Sequence, residues 1–207
     1  MQPLETRKEY MHGTLEKESL LGNPLEQLTV WLQEASAANI LEPNGMTICT
    51  VRNNRPSSRV VLLRGIDSGL VFYTNYLSKK GTDTAANANA SAGFWWASLE
   101  RQVRIEGTLQ KVSSAESDAY FASRPYESQL ASAASPQSQI IERKQLEQLV
   151  TDLRQKHPEA MPRPEHWGGY RLNPDYFEFW QGRQARLHDR IVYTLEDEAW
   201  IKQRLAP

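Results

Sequence analysis

The chain has 207 residues, with 24 Lys and Arg against 25 Asp and Glu and a formal charge of −1. That length suits one compact domain with room for a core, and 40% apolar with 24% charged residues places it outside the disordered regime. The balanced charge gives no argument for a nucleic-acid or polybasic membrane surface, so an anion bound here would need a local pocket.

Residues 1–22 are polar and aperiodic and read as an arm ahead of a single domain over 23–207. They carry Glu5, Glu9, Glu16 and Glu18 without an apolar core, unlike a secretory signal. No apolar stretch approaches the roughly 20 residues that span a bilayer, so a cytoplasmic location is expected. Asn23-Pro24-Leu25-Glu26 supplies a cap, a proline at the first helical position and an acid at the third. A helix over 24–38 follows, with Leu25, Leu28, Leu32 and Ala35 on one face.

Runs of β type then cover 46–52, 57–66, 70–75, 90–97 and 100–111. Asn53-Asn54-Arg55-Pro56 and Asp67-Ser68-Gly69 are turn chemistry between the first three. Cys49, the single cysteine, lies in the first run and is expected as a buried structural thiol. A short helix is predicted over 78–88. Ser113-Ser114-Ala115-Glu116 resembles a capping box for a helix ending near Arg124-Pro125. Leu146, Leu149, Val150 and Leu153 mark another over 139–156, and Pro158, Pro162 and Pro164 stiffen the loop after it. Strands return at 169–173, 175–181, 189–195 and 199–205, separated by Asn173-Pro174-Asp175, Gly182 and Glu196-Asp197-Glu198. The fold class expected is β-rich α+β, an antiparallel barrel-like sheet with peripheral helices.

The sequence lacks the Gly-rich dinucleotide and Walker loops, the H-E-x-x-H helix and the G-x-S-x-G elbow. His12, His157, His166 and His188 are scattered, and one cysteine forbids an internal disulfide, so no metal site is expected. Basic and hydroxyl residues at predicted strand ends remain. Arg59 and Arg64 bracket an apolar strand, where strict alternation puts them on opposite faces unless a bulge intervenes. Tyr73-Thr74-Asn75 closes the next strand, and Ser78-Lys79-Lys80-Gly81 opens a helix whose amides and ammonium groups suit a phosphate. Tyr120, Arg124 and Ser128 recur at spacing four, one face of a helix if it continues through Pro125. Arg186, His188 and Arg190 would share one face of a strand and repel one another without a compensating acid or anion. Singly, each has a plainer reading as a solvated strand end, lysine pair or capped helix. Together they point to two phosphate sites, for a phosphorylated cofactor and a phosphorylated substrate.

Several segments carry a resemblance to a known family: Arg59-Val60-Val61-Leu62-Leu63, Phe72-Tyr73-Thr74-Asn75, Leu99-Glu100-Arg101-Gln102-Val103, Ser123-Arg124-Pro125, Trp167-Gly168-Gly169, and Phe179-Trp180-Gln181-Gly182 with Arg186-Leu187-His188-Asp189-Arg190. In this order the chain, from about Arg7 to Pro207, resembles the pyridoxamine 5′-phosphate oxidases, FMN enzymes with a split β-barrel of Greek-key-like connection. The resemblance implies a homodimer with FMN in clefts at the subunit interface and a C-terminal dimerisation and substrate segment over about 165–207. It implies that Arg59, Val60, Val61, Leu62, Leu63, Arg64, Tyr73, Thr74, Lys79, Lys80, Gln102, Gln137, Ser138, Trp180 and Arg190 hold FMN. Arg7 and Tyr10 of the arm would close over a phosphorylated pyridine substrate. Tyr120, Arg124, Ser128 and Arg64 would take its phosphate, while Arg186, Leu187 and His188 would meet its ring, with Arg186 and His188 catalytic.

Two positions depart from the family pattern, Arg64 standing for the usual Lys and Lys79 for the usual Arg; altered affinities are expected, because an ammonium and a planar fork bind phosphate differently. Pro136, just before Gln137 and Ser138, also removes a backbone donor. The implied activity is oxidation of pyridoxamine or pyridoxine phosphate to pyridoxal phosphate, with oxygen consumed and hydrogen peroxide released. The competing readings are a non-catalytic carrier of FMN or pyridoxal phosphate and a flavin reductase relative with another electron donor.

Overall fold

A computed structural model describes residues 9–11 and 13–207; Arg7, expected at the site, lies outside the described residues. The strands are β1 (Gly45–Arg52), β2 (Arg55–Leu62), β3 (Gly65–Ile66), β4 (Leu70–Asn75), β5 (Asn89–Trp96), β6 (Arg101–Lys111), β7 (Trp167–Gln181), β8 (Asp189–Glu196) and β9 (Ala199–Leu205). The helices are α1 (Pro24–Ala37), α2 (Lys79–Ala86), α3 (Ser114–Ser123), α4 (Tyr126–Ala134) and α5 (Arg143–Lys156). The strands pair in the order β2-β1-β5-β6-β7-β4-β3, with β8 between β7 and β9. This is the β-rich α+β class that the turn and strand pattern predicts. Among the described residues no helix is long and apolar enough to cross a membrane.

The chain divides into two compact units. The first takes residues up to 48 together with 91–107 and 174–207. Its helix α1 starts as predicted, with Asn23 Oδ1 accepting from the Leu25 amide. The buried face is rotated from the expected one, because Trp31 is the largest apolar side chain of α1. Gln27, Leu28, Trp31 and Ala35 are buried, whereas Leu25 and Leu32 are half-buried. The Trp31 ring meets Phe179 edge-on with centroids 5.0 Å apart. The described part of the polar arm contributes to this core, against its composition. Leu15 and Leu20 are buried, the Leu15 amide donates to Asp189 Oδ2 at 3.0 Å, and Tyr193 donates to the Leu21 carbonyl at 2.8 Å.

The second unit comprises residues 49–90 and 108–173. Asn53 and Asn54, at φ 50° and 58°, make the left-handed turn that joins β1 to β2. The predicted 57–66 run is not one strand: β2 stops at Leu62, Leu63 and Arg64 fall between, and β3 resumes at Gly65. Cys49 is half-buried, not enclosed. The capping box forms, the Glu116 amide donating to Ser113 Oγ at 3.1 Å and the Ser113 amide to Glu116 Oε2 at 3.2 Å. Pro125 forces Arg124 into extended backbone, ψ 150°, so α3 and α4 are separate helices. Helix α5 begins at Arg143 and not at 139, because Ser138 is left-handed at φ 73° and a second box, Glu142 with Gln145, caps the later start.

One predicted break does not occur. Asn173-Pro174-Asp175 lies inside β7, whose 167–172 part pairs with β4 and whose 176–181 part pairs with β8. Pro174 sits between those two registers, where the missing N–H costs neither ladder a bond.

Candidate active site

Local chemistry builds the main cavity of the second unit. Helix α2 starts where Ser78 Oγ accepts from the Gly81 amide at 3.3 Å. A Cβ on Gly81 would stand 2.1 Å from the Tyr76 carbonyl oxygen, so only glycine lets this turn pack so closely. The turn carries Lys79 and Lys80 to the rim of a cavity of about 610 Å³ lined by Ser57, Ser58, Arg59, Val60, Val61, Leu62, Arg64, Tyr73, Lys79, Lys80, Tyr120, Arg124, Gln137, Ser138 and Trp167. The break after Leu62 resolves the alternation problem, because Arg59 and Arg64 line the same cavity.

Five of those residues are Arg or Lys, and none is acidic. Lys80 Nζ donates to Thr74 Oγ1 at 2.8 Å, Gln137 Oε1 at 3.0 Å and Ser78 Oγ at 3.2 Å. Burial, assisted by the charge of Arg59, pulls the Lys80 ammonium down to about 8. The first amide of α2 is not free, since Lys79 N donates to Ser138 Oγ at 3.1 Å. This donor set fits a phosphate group: cations brought together against desolvation, beside a helix N-terminus.

A second cavity of about 420 Å³ shares Tyr73, Arg124, Gln137 and Trp167 with the first and adds Thr74, Ser128, Ser132 and Ser135. Tyr73 stacks on Tyr120 at 3.8 Å, and Tyr120 lies parallel to Trp167 at 6.2 Å. The Arg124 guanidinium lies over Trp167, 4.8 Å from the ring centroid, and its NH1 donates to Ser132 Oγ at 2.7 Å. Burial and the nearby Arg64 lower its pKa. The helix break at Pro125 thus places Arg124 between the two cavities, Tyr120 lining one and Ser128 the other. Leu63 is buried and lines neither.

Tyr10, Gln102, Trp180, Arg186, Leu187, His188 and Arg190 belong to the first unit. Trp180 lies 4.7 Å from His188 and 5.6 Å from Tyr10, centroid to centroid. His188 Nδ1 accepts from the Arg183 amide at 3.1 Å, which leaves Nε2 as the ring's donor. The expected three-cation strand face is not formed, because Arg186 sits in a short turn at φ 63° and β8 starts only at Asp189. Arg190 is compensated by Glu178, 2.8 Å from its Nε. Arg186 is exposed, Leu187 lines a cavity with Tyr10, and Gln102 is half-buried in β6. Sequence reasoning gives no site role to Ser132, Glu178 or Asp83, and uses Trp167 only as part of a resemblance motif; of the first three, Asp83, four residues from Lys79 on one helix, has a local signal.

A split-barrel fold with two adjoining basic cavities defines the class, and the comparisons narrow it. Residues 32–156 match the family model described as pyridoxamine 5′-phosphate oxidase, and residues 167–207 match the pyridoxine 5′-phosphate oxidase C-terminal dimerisation region. The chain belongs to the pyridoxine/pyridoxamine 5′-phosphate oxidase family. Its relatives include proteins of that name from an Acidovorax species and from Bordetella pertussis. Both are 50% identical across 98% of this chain, covering 95% and 98% of their own lengths. Among solved structures it is similar to PhzG from Burkholderia lata in complex with tetrahydrophenazine-1-carboxylic acid. That match has a TM-score of 0.90 at 30% identity, over 97% of this chain and 100% of the other. An FMN-binding protein from Nostoc punctiforme related to pyridoxamine 5′-phosphate oxidase shares the fold, with a TM-score of 0.70 at 18% identity over 89% of this chain and 98% of the other.

Proposed function

We propose that this protein oxidises pyridoxamine 5′-phosphate and pyridoxine 5′-phosphate to pyridoxal 5′-phosphate, with oxygen as electron acceptor and hydrogen peroxide as by-product. One observation carries the reading: two adjoining cationic cavities share Arg124, one built on Arg59, Lys79 and Lys80, the other on Arg124 and Ser128. FMN is the proposed cofactor. Its phosphate suits the first cavity, with Arg59, Lys79 and Lys80 as donors and Val60, Val61, Leu62, Tyr73, Gln137 and Ser138 around them, while Thr74, which lines the adjoining cavity, holds the Lys80 ammonium. Arg64, Tyr120, Arg124 and Ser128 take the substrate phosphate. Accepting an electron pair from the substrate carbon and delivering it to oxygen is chemistry that a flavin supplies when bound.

The remaining work falls to side chains. Arg124, held over the Trp167 ring, offers a preformed fork to a phosphate dianion. His188, with Nδ1 occupied, has Nε2–H to offer to an acceptor on the pyridine ring, and Arg186 is the residue proposed to act at the reacting carbon. Tyr10 and the arm exclude water. The protein acts as a homodimer with FMN at the subunit interface, where Gln102, Trp180 and Arg190 contribute. The match of residues 167–207 to a dimerisation region supports this.

The likeness to PhzG supports a second reading, oxidation of a larger unphosphorylated carboxylic acid. Mixing the flavin-loaded protein anaerobically with either substrate decides between them. Loss of the flavin's visible band with pyridoxamine phosphate, and not with the tricyclic acid, is expected. Persistent colour with pyridoxamine phosphate would sink the main reading. Arg186→Ala should cut turnover far more than FMN affinity, and unchanged turnover at saturating substrate would refute its role.

A further inference from the structure

Behind the first cavity lies a buried polar chain that the reading above leaves unused. Asp83 in α2 and Thr50 in β1 are each 1% exposed. Thr50 Oγ1 donates to Asp83 Oδ2 at 3.0 Å and accepts from Arg59 NH1 at 2.8 Å. A hydroxyl has one proton; once it is given to Asp83, only lone pairs remain for Arg59, so the direction of the chain is set. Arg59 NH2 donates to Ser57 Oγ at 2.8 Å and lies 3.8 Å from Asp83 Oδ2, which also accepts from Lys79 Nζ at 2.9 Å. Burial would lift the Asp83 carboxyl, but hydrogen bonds from Lys79 and Thr50 outweigh it and keep the group ionised at neutral pH. One carboxylate therefore ties a β1 hydroxyl, a β2 guanidinium and the first turn of α2 together.

We infer that Asp83, acting through Thr50, is the positioning residue that aims Arg59 at the flavin phosphate. The inference rests on the proposed FMN reading and deepens it. Two effects oppose each other. By charge alone, a carboxylate beside the cradle weakens anion binding. By geometry, it fixes a guanidinium that would otherwise swing, so that no reorganisation is needed when the phosphate arrives. The charges around the proposed flavin phosphate are also matched, since Arg59, Lys79 and Lys80 with the Asp83 carboxylate leave two net positive charges for a group carrying about −1.5 to −2. The proposal is that geometry wins.

The test measures FMN and riboflavin affinities of the full-length protein by quenching of flavin fluorescence. Asp83→Asn keeps the shape and removes the charge. It is expected to weaken FMN about tenfold and to leave riboflavin unchanged. Thr50→Val should match that loss, Thr50→Ser should restore binding, and the double variant should be no worse than either single change. Tighter or unchanged FMN binding in Asp83→Asn would mean that the charge effect dominates and would overturn the assignment. An equal loss for riboflavin would overturn it as well, since it would show a general structural role. If Asp83→Asn fails to fold, the Thr50→Val and Thr50→Ser pair decides, and wild-type affinity in Thr50→Val overturns it. Failure of the FMN reading shows separately: the unaltered protein would not prefer FMN to riboflavin.

Discussion

Glu178 grips Arg190 in a two-pronged fork, Nε to Oε1 at 2.8 Å and NH2 to Oε2 at 3.1 Å, across the β7–β8 pair. The same carboxylate accepts from Arg104 NH1 at 2.9 Å and is 3% exposed. Burial would raise its pKa, but the hydrogen bond and charge of Arg190, with the charge of Arg104, outweigh that and hold it below the usual glutamate range. Glu178→Gln leaves two guanidinium groups facing each other over a neutral amide. We expect a loss of about 3 kcal/mol in denaturant unfolding at pH 7. A depressed carboxyl stabilises the fold fully above its unfolded pKa of about 4.3, and that contribution is lost as pH falls through the lower folded value. The gap between variant and parent should therefore close only in acid below about pH 4. A constant gap down to pH 2 would refute the assignment.

Lys80 carries the opposite lesson, a cation held at about 8 by burial and by Arg59. Between that value and the unfolded lysine value of about 10.4 the folded chain binds fewer protons than the unfolded one. Protein stability should rise with pH across this window as the buried charge is relieved. Phosphate affinity should move the other way, because the cradle loses a cation above pH 8. A pH series of FMN dissociation constants should weaken by up to tenfold per unit there in the parent and stay flatter in Lys80→Met. Parallel curves for the two proteins would exclude Lys80 as the titrating group.

How much of this was legible depended on the range of the interaction. The starts of α1 and α3 are local, three or four residues deep, and Asn23 and Ser113 cap as the pattern predicts. The helix end at Arg124-Pro125 is legible, but spacing four puts Tyr120, Arg124 and Ser128 on one face only if the helix continues; across the break Arg124 lines both cavities, Tyr120 one and Ser128 the other. The Glu178–Arg104 contact bridges 74 positions and the Thr50–Asp83 contact 33, and no periodicity marks such partners. Pro174 misleads for the same reason, because β7 changes its neighbour from β4 to β8 around it.

Gly81 tests whether the cradle depends on how α2 begins. A methyl group there would lie 2.1 Å from the Tyr76 carbonyl oxygen and 2.5 Å from its carbon, both backbone atoms that cannot rotate aside. Gly81→Ala must displace the turn bearing Lys79 and Lys80, at a cost of about 2 kcal/mol. Thermal unfolding should fall by roughly 5 °C for a chain of this size. Affinity for FMN should drop more than affinity for riboflavin, since the displaced groups serve the phosphate. A variant with the parent's melting point and FMN affinity would show that the turn adapts freely.

Arg124 is the residue at which the two cavities meet, and its planarity can be tested apart from its charge. The guanidinium carbon lies over Trp167, 4.8 Å from the ring centroid, while its NH1 reaches Ser132 Oγ at 2.7 Å, so two of its capacities are used at once. An ammonium keeps the charge but cannot both stack as a plane and present two parallel N–H groups to a phosphate. Arg124→Lys is therefore expected to raise KM for pyridoxamine phosphate by about tenfold or more, with kcat reduced less. FMN affinity should stay within about twofold of the parent, because Arg59 and Lys80 remain in place. Loss of FMN alongside substrate would mean that Arg124 serves the cofactor cavity first. An unchanged KM would mean that charge alone recognises the substrate phosphate.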